Sequence, residues 1–139
     1  MPFTNDKLND IFNRTSGQCH ICHRRLSFKN YGALGKRGAW EVEHSNPRVK
    51  GGTNRLNNLF SACIFCNRSK GAASTRYARA ANGVARAPLS YSAREQARVD
   101  NAIVGAVFGG ILANTINPKA AVLGSILGMA FGHSINPTR

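Results

Sequence analysis

Short amphipathic patterns run through the first half of this 139-residue chain. From Asn5 to Arg14 the apolar residues recur at helical spacing, which predicts a short helix with one apolar face. In the segment Trp40-Glu-Val-Glu43 apolar and charged residues alternate, as in a half-buried strand. A further helix is predicted from Asn67 to about Ala81, whereas Tyr31 to Gly38 and Thr53 to Phe60 are expected to be loops.

The character of the chain changes twice after residue 81. A stretch that contains Gly83 and Pro88 predicts a linker, and the polar residues that follow it predict a helix that ends near Asp100. Beyond this helix, as far as Thr138, the only formally charged side chain is that of Lys119. The sequence therefore predicts a folded domain, a linker with a polar helix, and an apolar hairpin, over residues 1–81, 82–100 and 101–139 respectively.

Small residues recur along both halves of the apolar part. Asn117-Pro118 divides it into two arms, Ala102 to Ile116 and Ala120 to Ile135. The small residues are Gly105, Gly109, Gly110 and Ala113 in the first arm, and Gly124, Gly128 and Gly132 in the second. Such a stripe lets two helices approach closely, and the segment resembles glycine-zipper hairpins. Each arm of about 15 residues would be about 22 Å long as a helix, which is short of a full hydrocarbon span. The hairpin could therefore enter a membrane, associate with other copies, or pack on the rest of the chain.

The charge of the chain indicates what it binds. Lysine and arginine exceed the acidic residues so strongly that the formal net charge is +13, with a sequence pI of about 10.7. So large a positive charge carries information about what the protein binds and little about its fold. Nucleic acid is the leading candidate partner, followed by an anionic membrane surface. A basic protein without such a partner is the weaker interpretation. Several arginines after Asn67, among them Arg76 and Arg79, are expected to extend the basic face.

The four cysteines form two Cys-x-x-Cys pairs, Cys19 with Cys22 and Cys63 with Cys66. The first residues, as far as Asn13, show no apolar run after a basic start, so we expect no secretory signal and regard disulfides as a weak alternative. Redox activity is disfavoured because no βαβ pattern surrounds either pair. Four thiolates instead suit one tetrahedral structural zinc, for which His20 and His23 are not needed as ligands.

Between and after these pairs lies an ordered series of residues with chemical character. It consists of Glu43-His44, Pro47, Gly51-Gly52, Asn58-Leu59 and Cys63-Ile-Phe-Cys66-Asn67-Arg-Ser-Lys70-Gly71. This series resembles the HNH endonucleases of the His-Me finger (ββα-metal) superfamily, and the likeness covers Cys19 to Gly71. The resemblance implies an α+β fold, in which a small zinc-stapled ββα-metal nuclease domain precedes the Gly-rich helical hairpin.

The resemblance also assigns roles to individual residues. His44 would be the general base that activates water, a task that suits a histidine with a pKa near neutrality. Glu43 and Asn67 would hold a catalytic Mg²⁺ or Mn²⁺ ion through their oxygen atoms. Both positions depart from the commonest pattern, because Asp is more usual than Glu43 and many members have His in place of Asn67. Asn58 would support the loop that carries His44 through hydrogen bonds to the backbone.

Hydrolysis of DNA phosphodiester bonds is the activity that the resemblance implies. Three basic residues are reasonable phosphate contacts: Arg48, Arg68 and Lys70. No recognition helix or repeated reading module is evident in the sequence. We therefore expect contacts with the DNA backbone and little sequence specificity.

The apolar hairpin beside such a domain suggests a biological setting. The combination resembles interbacterial toxin effectors, which implies a bacterial antagonistic toxin with an acidic immunity partner, or a homo-oligomer formed through the hairpin. Such a protein would be cytoplasmic in its producer and would reach a target-cell cytoplasm without a signal peptide. The alternatives are a phage or host-defence HNH nuclease that acts in its own cell, a zinc-dependent DNA-binding module without catalysis, and a membrane-perturbing protein. The intact Glu43, His44 and Asn67 argue against the non-catalytic module.

Overall fold

The computed structural model describes residues 3–117 and 120–137. Its fold is mixed α and β, as predicted, with a small two-stranded sheet, helices around it and a helical hairpin after it. The chain divides into two compact units, one that ends at Tyr91 and one that begins at Ser92. In chain order the helices and strands are α1 (Asn5–Asn13), β1 (Trp40–His44), β2 (Leu59–Cys63), α2 (Ile64–Lys70), α3 (Thr75–Ala81), α4 (Tyr91–Ile116) and α5 (Ala121–Ser134). Short 3-10 helices lie at Phe28–Asn30, Arg48–Lys50 and Leu56–Asn58.

Helix α1 forms where the apolar spacing predicts it. Thr4 caps its N-terminus, since the Thr4 side chain accepts a hydrogen bond from the Lys7 amide. The apolar face is buried through Leu8 and Ile11. The chain leaves the helix through Gly17, which has a φ of 68° and on which a Cβ would lie 2.7 Å from the Phe12 ring. Only glycine fits this exit without moving the ring.

The sheet brings the two segments of the motif together. Strands β1 and β2 pair antiparallel, with Trp40 opposite Cys63 and His44 opposite Leu59. The prediction of a loop as far as Phe60 is therefore wrong at its end, because the pairing begins at Leu59. Since β2 runs directly into α2, the second cysteine pair lies where strand becomes helix. The strands and α2 together form the ββα arrangement.

The helix predicted from Asn67 to Ala81 is two helices in the structure. Helix α2 begins earlier, at Ile64, and ends at Lys70. Gly71 follows with a φ of 49°, and Ser74 starts α3 by accepting a hydrogen bond from the Tyr77 amide at 3.2 Å. After the break, α3 packs against the loop between the first two cysteines, where Ala78 joins the cluster of Cys19 and Ile21 and Arg79 donates to the His20 carbonyl.

Two buried clusters form the interior of the first unit. One gathers around the fully buried Trp40 and contains Leu8, Ile11 and Leu59. The Trp40 indole donates to the Phe28 carbonyl at 3.2 Å, and its ring packs against those of Phe12 and Tyr31. The second cluster consists of Cys19, Ile21, Ala62, Cys66 and Ala78. This second cluster contains two of the cysteines, so the apolar interior alone is small.

The second unit is a helical hairpin of α4 and α5. Its first helix runs without interruption over 26 residues, so the predicted polar helix and first apolar arm are one element. Pro118, the second residue of the predicted break, and Lys119 lie outside the described residues. Glycines sit where the helices meet, since a Cβ on Gly105 would lie 2.0 Å from the Gly128 carbonyl oxygen, and one on Gly109 would lie 2.1 Å from that of Gly124. Any larger side chain there would push the helices apart.

Candidate functional site

The four cysteines converge into one cluster. Their sulfur atoms all lie within 4.8 Å of one another, and the Cys22 and Cys63 sulfurs are 3.9 Å apart. Each pair is shaped in the same way, since the Cys22 amide points at the Cys19 sulfur and the Cys66 amide at the Cys63 sulfur, both at 3.5 Å. Four thiolates at these separations fit a tetrahedral zinc ion with Zn–S bonds of about 2.3 Å. The donor set therefore fits the predicted structural zinc.

The histidines near the first pair have other partners. His23 lies with its Nε2 atom 2.9 Å from the Arg86 carbonyl oxygen. His20 is fully buried and turns its ring toward Glu43 rather than toward the cysteines. Within the cysteine cluster, hydrogen bonds from Cys19 and Cys63 lower the pKa of the Cys22 thiol. A cation among the sulfurs would stabilise further thiolates.

His44 lies at the end of β1 with a half-buried ring. Its Nε2 atom is 2.8 Å from the Asn54 side-chain oxygen. Because that oxygen can only accept, a neutral ring that makes this hydrogen bond carries its proton on Nε2 and keeps the lone pair on Nδ1. A neutral imidazole with a free lone pair is the form that a general base needs. Asn54 was not singled out from the sequence, where nothing separates it from the neighbouring asparagines.

Asn58 lies against the loop that follows His44. Its side-chain oxygen accepts from the Asn46 amide at 2.6 Å, and its side-chain nitrogen donates to the carbonyls of Asn46 and Thr53 at 3.1 and 2.9 Å. Its backbone carbonyl accepts from the Ser45 amide at 2.9 Å. Four hydrogen bonds from one residue thus fix the two ends of the loop to each other. These contacts of Asn58 are all with the loop and none is with the cleft.

The same loop depends on Gly52. A Cβ on this residue would lie 1.8 Å from the Asn46 carbonyl oxygen, far inside contact distance. The Gly52 amide donates to the Pro47 carbonyl at 3.0 Å, which closes the turn. Gly51 takes a φ of 81°, a region that favours glycine. The Gly-Gly pair is therefore a requirement of the backbone rather than a linker.

Glu43 belongs to a buried polar cluster. Its carboxylate contacts the His20 Nε2 atom closely and lies 2.8 Å from the Lys70 ammonium, and all three side chains are nearly inaccessible to solvent. Arg79 donates to the His20 carbonyl at 2.8 Å and lies 3.0 Å from its Nδ1 atom, so the ring proton faces Glu43. Burial raises the pKa of Glu43, but the bonds from His20 and Lys70 outweigh it and hold the pKa below its ordinary value. Glu43 is thus a charged carboxylate with Oε1 bound by Lys70 and Oε2 in contact with the His20 ring, without a well-formed hydrogen bond at Oε2.

This cluster corrects two predictions about basic residues. Lys70 was expected to contact phosphate, but its side chain is only 2% exposed, and it also donates to the His44 carbonyl at 3.1 Å. Arg79 was expected on a basic face, but it is half-buried against His20. Both residues sit on the inner face of their helices, where a buried carboxylate needs cations. Lys70 is therefore not accessible to DNA in this conformation.

Asn67 and Arg68 meet a different carboxylate, that of Glu41. The Asn67 side-chain nitrogen lies 2.9 Å from one Glu41 oxygen, and the Arg68 guanidinium lies 2.7 Å from the other. The Arg68 side chain is 59% exposed, and Arg48 is also exposed, as phosphate contacts must be. Partial burial raises the pKa of Glu41, but these two hydrogen bonds lower it below its ordinary value. The sequence pattern gave no reason to separate Glu41 from the other polar residues of β1.

One open cleft collects most of these groups. Its lining includes Glu41, His44, Arg48, Asn54 and Asn67. A neighbouring depression shares His44, Arg48 and Asn67 and is bordered by Glu43. A base, oxygen donors and an exposed arginine thus share one concave surface. Such a surface can hold a phosphate, a water molecule and a hard cation together.

Comparison with known families gives a match for the part of the chain that forms this site. Residues 19–73 match the HNH endonuclease family model. This HNH segment contains both cysteine pairs, both strands, α2 and the cleft residues named above. The match implies a metal-dependent nuclease with DNA as its substrate. No curated protein and no solved structure matches the chain.

Proposed function

We propose that this protein is a metal-dependent endonuclease that hydrolyses DNA, with His44 as its general base. The observation that carries the proposal is the state of His44 in the cleft. Its Nε2 atom is occupied by Asn54, so Nδ1 is the proton acceptor, and Asn67 lies on the same concave surface. The HNH segment supports the same reaction through its family.

The chemistry follows from these groups. His44 Nδ1 takes a proton from a water molecule, whose oxygen attacks phosphorus while the bond from phosphorus to the 3′ oxygen breaks. The leaving oxygen then takes a proton from solvent. A divalent ion of the Mg²⁺ or Mn²⁺ class, when bound, neutralises charge on the phosphate and on this oxygen. Asn67 would hold it through its amide oxygen together with a carboxylate of β1, for which the family pattern indicates Glu43.

Two further features support DNA as the substrate. Arg48 and Arg68 are exposed beside the cleft and can contact backbone phosphates. The net charge of +13 would attract any nucleic acid and make binding dependent on salt. Zinc in the cysteine cluster would stabilise the strands and α2, which carry the cleft residues.

Plasmid cleavage by the purified full chain tests the proposal. Cleavage should require Mg²⁺ or Mn²⁺, stop with EDTA and disappear in His44→Ala. His133→Ala is the matched control, because it removes a histidine from the other unit. If the zinc-loaded protein binds DNA without cleaving it under any divalent ion, the non-catalytic binding module would replace this proposal.

The hairpin supports a second proposal, contact with a lipid bilayer. Among the described residues, α4 is long and apolar enough to cross a membrane by length and composition alone. The glycines face the partner helix, whereas large apolar side chains on both helices are exposed on the opposite sides. These side chains are Ile103, Val104, Val107, Phe108, Ile111 and Leu112 on α4, and Val122, Leu123, Ile126, Leu127 and Phe131 on α5. A second copy of the chain docked on one of these apolar faces would leave the other face in water. A lipid bilayer would cover both faces, as it does around a glycine-zipper hairpin.

Liposome flotation of the full chain tests the lipid proposal. The protein should float with vesicles of phosphatidylcholine alone, which separates insertion from charge attraction to anionic lipid. Phe108→Glu combined with Leu127→Glu should abolish flotation, while Leu34→Glu, an exposed apolar residue of the first unit, should not. Failure to float combined with a dimeric or larger mass in light scattering would favour self-association instead.

A nuclease joined to a membrane-active hairpin is consistent with a bacterial antagonistic toxin. Such a toxin would be made in one cytoplasm and act in another, and the net charge of +13 would suit an acidic immunity partner. Expression in a bacterial cytoplasm should therefore be toxic, and His44→Ala should remove the toxicity. Toxicity that survives His44→Ala would favour a membrane-perturbing protein. Growth without any loss of viability would favour the phage or host-defence alternative.

A further inference from the structure

We propose that Glu41, rather than Glu43, supplies the carboxylate that holds the catalytic divalent ion together with Asn67. The inference rests on the proposed nuclease function, because it concerns the ion of that reaction. It departs from the family pattern, which points to the residue directly before His44. The reason for the departure is where β1 places its two glutamates.

Glu43 is engaged inside the protein. Its side chain is 1% exposed, one oxygen is 2.8 Å from the Lys70 ammonium and the other contacts His20. Thr75 adds a hydroxyl at 3.5 Å from the oxygen that Lys70 binds. If Glu43 turned to an ion, it would leave a buried ammonium without its counter-charge, which is strongly unfavourable. Glu43 therefore suits a structural role better than a ligand role.

Glu41 is available on the cleft. Its side chain is 23% exposed, and it lines the same surface as His44 and Asn67. One carboxylate oxygen lies 2.9 Å from the Asn67 side-chain nitrogen. A half-turn of the Asn67 amide would place its oxygen there instead. Two oxygen ligands at adjacent positions of an octahedral ion with bonds of about 2.1 Å lie about 3 Å apart, which matches this separation.

Arg68 completes the arrangement. Its guanidinium lies 2.7 Å from the other Glu41 oxygen, so it fixes the carboxylate while leaving the first oxygen directed at Asn67. The Arg68 side chain stays 59% exposed, so it can also meet a phosphate that the ion binds. A single charged residue thereby orients the ligand and borders the substrate position.

Calorimetric titration of Mn²⁺ into the zinc-loaded full chain tests the inference without any dependence on cleavage. Glu41→Gln should weaken the Kd by about tenfold or more, as loss of a ligand must cost at least what loss of an outer partner costs. Glu43→Gln should leave the Kd within about threefold while lowering the thermal midpoint. Asp10→Asn is the matched control, since it removes a carboxylate charge from an exposed site on α1 and should change neither quantity.

A crystal soaked in Mn²⁺ then locates the ion by anomalous scattering. A peak at bonding distance from the Glu41 carboxylate supports the inference, and a peak beside Glu43 overturns it. An unchanged Kd in Glu41→Gln also overturns it, even if Glu43→Gln fails to fold. Failure of the nuclease proposal gives a different result, in which Mn²⁺ binding depends on Glu41 but the parent protein cleaves no plasmid.

Discussion

Replacement of Lys70 by methionine would test whether the buried polar cluster holds the site together. Methionine keeps the length of the side chain, so the change removes a charge and a donor without opening a large cavity. The lost ammonium is 2.8 Å from Glu43, with exposed side-chain fractions of 2% and 1%. Removal of one partner from a buried ion pair costs about 3–5 kcal/mol. His20 remains on Glu43, so we expect a loss of about 3 kcal/mol in the free energy of unfolding.

The assay is urea unfolding of the zinc-loaded protein, followed through the fluorescence of its one tryptophan, Trp40. This residue is fully buried, so its emission reports on the interior of the first unit. In the double variant Lys70→Met with Glu43→Gln, part of the loss should be recovered, because no carboxylate is left without its counter-charge. A loss below about 1 kcal/mol for Lys70→Met, with an unchanged dependence on urea, would refute the reasoning.

The pH dependence supplies a second readout. In the parent protein the pKa of Glu43 lies below its ordinary value, so its contribution to stability is complete above the ordinary carboxyl range near pH 4.3 and is lost as the pH falls. Without Lys70 the carboxylate takes up its proton at higher pH than in the parent. The difference in stability between Lys70→Met and the parent should therefore narrow as the pH falls below about 5. If the difference in unfolding free energy between Lys70→Met and the parent stayed constant from pH 7 to pH 4, the Lys70–Glu43 ion pair would not be its source.

Three further predictions follow from the structure. Chelation of zinc should unfold residues 1–75, and retention of circular dichroism and thermal stability after complete zinc removal would refute this. Gly52→Ala should cost about 1–3 kcal/mol, because a Cβ would lie 1.8 Å from the Asn46 carbonyl oxygen; thermal unfolding measures the loss, and an unchanged thermal midpoint would contradict the close contact. Asn54→Ala should lower kcat for plasmid cleavage by about tenfold or more with little change in KM, since it frees the His44 ring; an unchanged kcat would remove Asn54 from the site.

The sequence predicts the elements whose signal is local. Helix α1, strand β1 and the zinc cluster follow from spacing, capping and ligand chemistry within a few residues of each other. Strand β2 was hidden because its first residues follow a polar loop, and only pairing with β1 reveals it. Helix α4 was divided in the prediction because its polarity changes near Asn101. A change of polarity along a helix reflects a change in what surrounds its side chains, and it does not interrupt the backbone hydrogen bonds of the helix.

The candidate site shows the limit of motif spacing. Asn67, Arg68 and Lys70 stand close together in sequence, yet α2 turns Lys70 inward to Glu43 and the other two toward Glu41. Successive helix positions differ by about 100°, and the sequence alone does not say which direction faces the sheet. His20 was considered only as a zinc ligand, and its contact with Glu43 comes from the packing of the first cysteine loop against β1. Long-range contacts of this kind require the fold.

The four closely spaced thiols make the protein sensitive to the redox state of its surroundings. Zinc bound in this cluster would be held by thiolates, so oxidation of either cysteine pair would remove ligands and release the ion. Asn67 directly follows Cys66, so loss of order in this knuckle would reach the cleft within one residue. A reducing cytoplasm keeps such thiols free, whereas an oxidising compartment favours disulfides. Oxidation of the thiols would thus release zinc and abolish the proposed cleavage of DNA. Reduction of the thiols together with uptake of zinc would restore it.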